Sequence, residues 1–215
     1  MDKQIDNSGL AAKLELRRHF LAKYHADNPP HVLDCCQGGG VIWERLRQEF
    51  KTASYWGVDT KRKKGRVKLD SVRILAQPGW PQNVVDIDTY GSPWKHWGAM
   101  LPNVRGPLTV FLTLGAGRHQ QTVLDKFTLT RLGLGGLYDR LPKTLKSLYV
   151  FRDIHLSACL TRACDFGIIL EEVQAASAGD TQYVGCRLVP KANGREAATP
   201  GRSEHPEPVK EVRNV

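Results

Sequence analysis

One stretch constrains this chain more than any other. Val32, Leu33, Asp34, Cys35 and Cys36 form a short apolar run that carries an acid and opens through Gln37 into Gly38, Gly39 and Gly40. Ile42, Leu46 and Phe50 then recur at four-residue spacing from Val41 to Phe50. A run from His31 to Cys36 is too short for a helix, and three glycines permit a sharp reversal, so the segment reads as strand, glycine turn, helix. The alternation repeats. Ser54 to Val58 ends at Asp59, a short run lies near Val67 to Leu69, and Val84 to Ile87 precedes a helical stretch around Trp94 to Leu101. Leu108 to Leu114 is a further apolar run between Pro107 and Gly115. Short apolar runs alternating with helices specify an α/β fold, a mostly parallel sheet with helices on both faces.

The flanks complete the organisation. Leu10 to His25 has amphipathic spacing after Asn7 or Ser8 as cap, and Asn28, Pro29 and Pro30 end it. Leu141 to Asp165 is mostly helical in pattern. Ile168 to Val173 and Gln182 to Val189 flank a polar link at Ala178, Gly179 and Asp180, which predicts an antiparallel pair at one edge of the sheet. From Pro190 onwards Ala, Gly, Pro and charged residues replace the periodic apolar ones. The expected division is one domain over 1–189, with 1–28 as its N-terminal helical segment, and a flexible tail over 190–215. With 215 residues and 41% hydrophobic content the chain can bury a core, which excludes disorder as its main state. No apolar stretch approaches the roughly 20 residues of a membrane span. The polar start (Met1, Asp2, Lys3, Gln4) lacks a leader pattern, so a cytoplasmic location and no membrane partner are expected.

A strand that delivers its end into Gly38, Gly39 and Gly40 lets a ligand approach the backbone, and the helix behind it offers free N–H groups. A dinucleotide fingerprint fails here, because Trp43 stands where the third glycine is needed. The string from Val32 to Gly40 instead resembles motif I of the class I S-adenosylmethionine-dependent methyltransferases. That resemblance implies a Rossmann-like fold and S-adenosylmethionine as cofactor. Gly38, Gly39 and Gly40 would make room for it, and Asp34 would help hold its methionine end. Asp59, closing the second strand, would accept both ribose hydroxyls, and Asp70 would lie beside the adenine; each also reads as a plain loop acid.

Val84, Val85, Asp86, Ile87, Asp88, Thr89, Tyr90, Gly91, Ser92 and Pro93 form the most specific string in the chain. A buried strand running into alternate acids is unusual unless the carboxylates are paired or used, because their desolvation is costly. The string resembles catalytic motif IV of methyltransferases, and in particular the Asp-x-Asp-Pro-Phe-Gly-Ser-Pro string of the tRNA guanine-N2 dimethyltransferases. Thr89 departs from it, standing where that family has proline. The resemblance implies transfer of methyl to an amino nitrogen. Asp88 would accept the amine hydrogens, and Asp86 would support it or face the cofactor. Tyr90 would stack on an extruded base or be a core aromatic, with Pro93 beside it. Trp94 and Trp97 read as core and His96 as a surface histidine.

Charge adds a partner. Lys61, Arg62, Lys63, Lys64, Arg66, Lys68 and Arg73 against Asp70 alone place +6 of the formal +9 in one segment directly after Asp59. Lys61, Arg62, Lys63 and Lys64 would contact phosphates beside the cofactor, or form a solvated loop; Arg118 would add to the same surface. Gly133, Leu134, Gly135 and Gly136 read as a flexible connector. The five scattered cysteines suggest reduced thiols. No Cys stands directly after Pro93, in the second string, which argues against a cysteine nucleophile. His155, Cys159 and Cys164 lack a fourth ligand, so no metal is expected. The function expected is methylation of a base amine in RNA or DNA, with nucleic acid as partner. Two alternatives stay open, an enzyme for a protein or small-molecule amine and an inactive nucleic-acid-binding module. The sequence leaves the oligomeric state open.

Overall fold

The computed structural model describes residues 9–61, 67–89, 92–115, 130, 135–140, 152–179 and 181–191. Seven strands form one sheet: β1 (His31–Asp34), β2 (Ser54–Asp59), β3 (Val67–Lys68), β4 (Val84–Ile87), β5 (Leu108–Leu114), β6 (Ile168–Ala178) and β7 (Thr181–Pro190). Their spatial order is β3-β2-β1-β4-β5-β7-β6. Pairing is parallel from β3 through β5, and β7 runs antiparallel to both β5 and β6. The mostly parallel sheet and its antiparallel edge pair are those expected from sequence.

The period of two along each strand divides the core into two layers. Val32, Val84 and Phe111 face α1 (Leu10–Tyr24) and α2 (Val41–Glu49), packing on Leu14, Phe20, Leu21, Trp43 and Leu46. Leu33, Val85, Ile87, Val110 and Leu112 face the other way. They meet Leu75 of α3 (Ser71–Leu75), Trp94, Trp97 and Met100 of α4 (Trp94–Met100), and Cys159 and Leu160 of a later helix (Arg152–Thr161). Trp94 and Trp97 are core residues, as their spacing predicts, and Trp97 Nε1–H donates to the Cys159 carbonyl at 2.8 Å.

Several boundaries differ from the sequence reading, each for a local reason. β1 stops at Asp34, because Cys35 and Cys36 already belong to the turn. Gly9 caps α1 without any side-chain bond, while Asn7 and Ser8 lie outside the described residues. Phe50 leaves the helix as an extended C-cap. β6 continues to Ala178, five residues past Val173, because its pairing with β7 runs through Ala178↔Thr181 and absorbs one irregularity between Leu170 and Glu172. The helix α3 went unforeseen; it has five residues and is held by Asp70, whose carboxylate accepts from the Val72 N–H at 3.0 Å. Gly135 and Gly136, expected in a connector, open a short helix (Gly135–Arg140). Arg118, Gly133, Leu134, 141–151 and the tail from 192 lie outside the described residues. Among the described residues no helix is long and apolar enough to cross a membrane.

Candidate functional site

The strand order reverses between β1 and β4: from β1 the chain moves outward to β2 and β3, then crosses to β4 and β5 on the opposite side. The loops leaving the C-terminal ends of β1 and β4 therefore diverge and open a crevice, which is where open α/β sheets take ligands. The glycine turn and both acids of the second string lie at that end. A cleft lined by Trp80, Gln82, Asn83, Asn103 and Arg105 lies at the opposite end, where β4 and β5 begin.

The turn is held by its own backbone. The Gln37 N–H donates to the Val58 carbonyl at 3.0 Å and the Gly40 N–H to the Gln37 carbonyl at 2.7 Å. Gly38 (φ +50°) and Gly40 (φ +75°) occupy left-handed conformations that disfavour a side chain, and Gly40 caps α2. A Cβ placed on Gly38 would meet only the Cys36 carbonyl oxygen, at 3.6 Å, so the cradle is open on that side. Asp59 lies alongside, its carboxylate fixed by the Gly38 N–H at 3.3 Å and the Lys61 N–H at 2.9 Å. An oriented carboxylate next to an open glycine cradle fits an adenosyl ribose, since its oxygens keep lone pairs for two hydroxyls.

Beside the cradle three acids share the α1 side of the sheet. Asp34 and Asp86 are register partners on β1 and β4, and Asp88 follows two residues later. Asp86, 1% exposed, receives the Arg17 guanidinium as a fork, Nε to Oδ2 at 2.7 Å and Nη2 to Oδ1 at 2.6 Å, and a third bond from Trp43 Nε1–H at 2.7 Å. Its oxygens are turned to α1 and α2, so it supports the strand end and does not face the cradle. Arg17 lies over the Phe111 ring and donates also to the Lys13 carbonyl at 3.0 Å. Asp88 meets Lys13 Nζ with both oxygens, at 2.7 and 2.8 Å. Asp34 is buried and accepts from the Tyr55 hydroxyl at 2.8 Å.

Burial sets the protonation of these groups. For Asp34 the loss of water, reinforced by the Asp86 charge, pushes the carboxyl up to about 8. Burial also works against ionised Asp88, but the Lys13 and Arg17 charges outweigh it and hold the group below the ordinary carboxylate range. The other two acids of the cluster are paired one to one with cations, Asp86 with Arg17 and Asp88 with Lys13.

Other sequence-predicted residues fall as follows. Gly39 lies in the turn and Lys61 is exposed at its rim side, just after Asp59. Asp70 is spent on capping α3, with Arg73 3.8 Å away. Pro93 is buried and caps α4. Arg62, Lys63, Lys64 and Tyr90 lie outside the described residues, as does the side chain of His155. His96, expected at the surface, is half-buried: its Nε2 lies 2.9 Å from Ser71 Oγ, which donates to the Cys35 carbonyl, and burial pushes its ring down to about 4. The sequence reading does not point to Lys13, Arg17 or Tyr55, and it points to Trp43 only as the residue standing where a third glycine would be needed.

No protein-family model matches the chain, and no curated protein matches it in sequence. Solved structures do resemble it. Trm1 from Pyrococcus horikoshii, in complex with S-adenosyl-L-methionine, superposes over 86% of this chain with a TM-score of 0.59 and 16% identity. The matched region is 56% of that structure, so the present chain spans little more than half its length. TYW2 from M. jannaschii, in complex with AdoMet, superposes over 88% of this chain and 79% of its own, with a TM-score of 0.52 and 9% identity. The chain therefore shares the Rossmann-like fold of these S-adenosylmethionine-bound structures, the architecture that the motif resemblance implied.

Arg17→Met strands a buried carboxylate and should cost about 3–5 kcal/mol in urea denaturation, with part recovered in Arg17→Met/Asp86→Asn. Asp34 binds its proton more tightly in the folded chain than in the unfolded one, so its contribution favours folding at acid pH and is lost as pH climbs through about 8. Between pH 6 and 9 the unmodified protein should therefore lose about 2–3 kcal/mol more stability than Asp34→Asn.

Proposed function

We propose that this chain is an S-adenosylmethionine-dependent methyltransferase acting on an amino nitrogen of a nucleic-acid base. The observation that carries the reading is that residues suited to both halves of such a site lie at the same end of the sheet. The open cradle at Gly38–Gly40 with Asp59 beside it lies at the end of β1 and β2, and the Asp88 carboxylate lies just past the end of neighbouring β4.

S-adenosylmethionine would supply an electrophilic methyl carbon and, as its C–S bond breaks, keep that electron pair as a neutral thioether. The chain's own residues do the rest. Gly38, Gly39 and Gly40 admit the cofactor against the backbone, Asp59 takes the ribose hydroxyls, and Asp34 shapes the strand end below the methionine portion. A base amine is a weak nucleophile because its lone pair is delocalised into the ring. Asp88 accepts its hydrogens and turns that lone pair toward the methyl carbon, so that orientation supplies most of the rate. Asp88 is held ionised and weakly basic, so it orients the amine, and the surplus N–H proton passes to water once the new N–C bond has formed. Asp86 is a positioning residue, fixed by Arg17 and Trp43. Tyr90 would stack on the extruded base above Pro93. Lys61, Arg62, Lys63 and Lys64 would contact phosphates at the rim between β2 and β3. Support for a nucleic-acid target comes from the Asp86-to-Pro93 string and from that basic segment.

Three measurements test this. Calorimetry should show S-adenosylmethionine binding that disappears in Gly39→Arg and Asp59→Ala, whereas Asp88→Ala keeps binding and loses about 100-fold or more in methyl transfer to RNA or DNA. Undiminished transfer in Asp88→Ala removes that residue from the reaction, and label from S-adenosylmethionine appearing only in protein removes the base-amine target. Replacing Lys61, Arg62, Lys63 and Lys64 by Gln should flatten the salt dependence of nucleic-acid binding, by up to about 3 in the slope of log K against log salt, with cofactor affinity unchanged.

A further inference from the structure

We propose that Lys13 makes the acceptor end of the crevice electroneutral, so that it takes an uncharged amine and turns away an alkylammonium; the inference rests on the methyl-transfer reading above. Lys13 and Asp88 are each partly exposed, 17% and 19%, so their pair lies at the accessible end of the cluster, whereas Arg17 and Asp86 are sealed at 1% each. The position of Lys13 is built. Its helix is fixed one turn further on by the Arg17 fork, the Arg17 Nη1 holds the Lys13 carbonyl, and the ammonium lies 5.2 Å from the centre of the Tyr183 ring.

The charge count decides what this arrangement accepts. Asp86 is neutralised by Arg17 and Asp88 by Lys13, and Asp34 keeps its proton in the buried layer beneath. No net negative charge remains to draw in a cation, and Lys13 already holds the place an ammonium would take. An alkylamine is cationic near neutral pH and has no lone pair in that form. A base amine is uncharged, and its N–H donors need only share the carboxylate with Lys13, since a carboxylate has about four acceptor sites. Removing Lys13 would leave Asp88 as an unpaired carboxylate facing the crevice, a site for cations.

The test uses n-butylammonium chloride as probe, titrated by NMR into the full chain saturated with S-adenosylhomocysteine. Lys13→Met should bind the probe about tenfold or more tightly than the unmodified protein, Lys13→Gln should do the same, and Lys13→Arg should match the unmodified protein. Adding Asp88→Asn to Lys13→Met should abolish the gain. Equal affinity in the unmodified protein and in the folded Lys13→Met or Lys13→Gln variant, including no binding in either, overturns the proposal. Failure of the unmodified protein to bind S-adenosylhomocysteine by calorimetry overturns the methyl-transfer reading itself and the proposal with it.

Discussion

The buried pair between Arg17 and Asp86 ties the molecule together. Asp86 stands one residue before the end of a parallel strand, on the side of the sheet where an isolated carboxylate has no water, and it persists there because α1 carries a guanidinium to it and α2 a Trp43 indole N–H. One side chain thus joins β4, α1 and α2, the three elements that surround the C-terminal end of β1. Replacing such a pair by apolar residues is often neutral for stability, so its value here lies in placement. With Asp86 held, Asp88 emerges at a fixed point, and with Arg17 held, Lys13 meets it.

The site is an arrangement of carboxylates with different tasks imposed by their surroundings. Asp59, at the end of β2, is aligned by two backbone N–H groups next to the glycine cradle. Asp86 is saturated. Asp34 lies in the same layer without a cation of its own, and burial pushes it toward the neutral form. Asp88 keeps its charge against burial because Lys13 and Arg17 stand beside it. Four acids of one type therefore divide into a backbone-aligned carboxylate beside the turn, a saturated strut, a buried acid pushed toward its neutral form and a carboxylate paired at the accessible end, and only differences in burial and partners separate them.

How much of this the sequence discloses follows from how local each cause is. Val84 to Ile87 and Leu108 to Leu114 are apolar runs with sharp boundaries, and both match the strands residue for residue. The glycine turn and the acids after it were equally legible, because their geometry is set within a few residues. The five-residue α3 was not, since it depends on the Asp70 cap and on Leu75 reaching a core built by distant strands. Lys13 and Arg17 are not distinguished locally, being two of several bases in a helix that also holds Arg18 and Lys23. Their partners lie 75 and 69 residues away. A signal was nevertheless present: Lys13 and Arg17 share the stripe of Leu10, Leu14 and Leu21, and cations on an apolar stripe require buried acids. His96 was misjudged for the same reason, because Ser71, the residue that draws it inward, sits on another helix.

Where a cofactor lies in the molecule tests the proposed site most directly. A crystal structure of the protein with S-adenosylhomocysteine should show the homocysteine and ribose against the Gly38–Gly40 turn, both ribose hydroxyls within hydrogen-bond distance of Asp59, and the sulfur turned toward Asp88. A ligand bound elsewhere on the molecule, or ribose hydroxyls with no contact to Asp59, would contradict it.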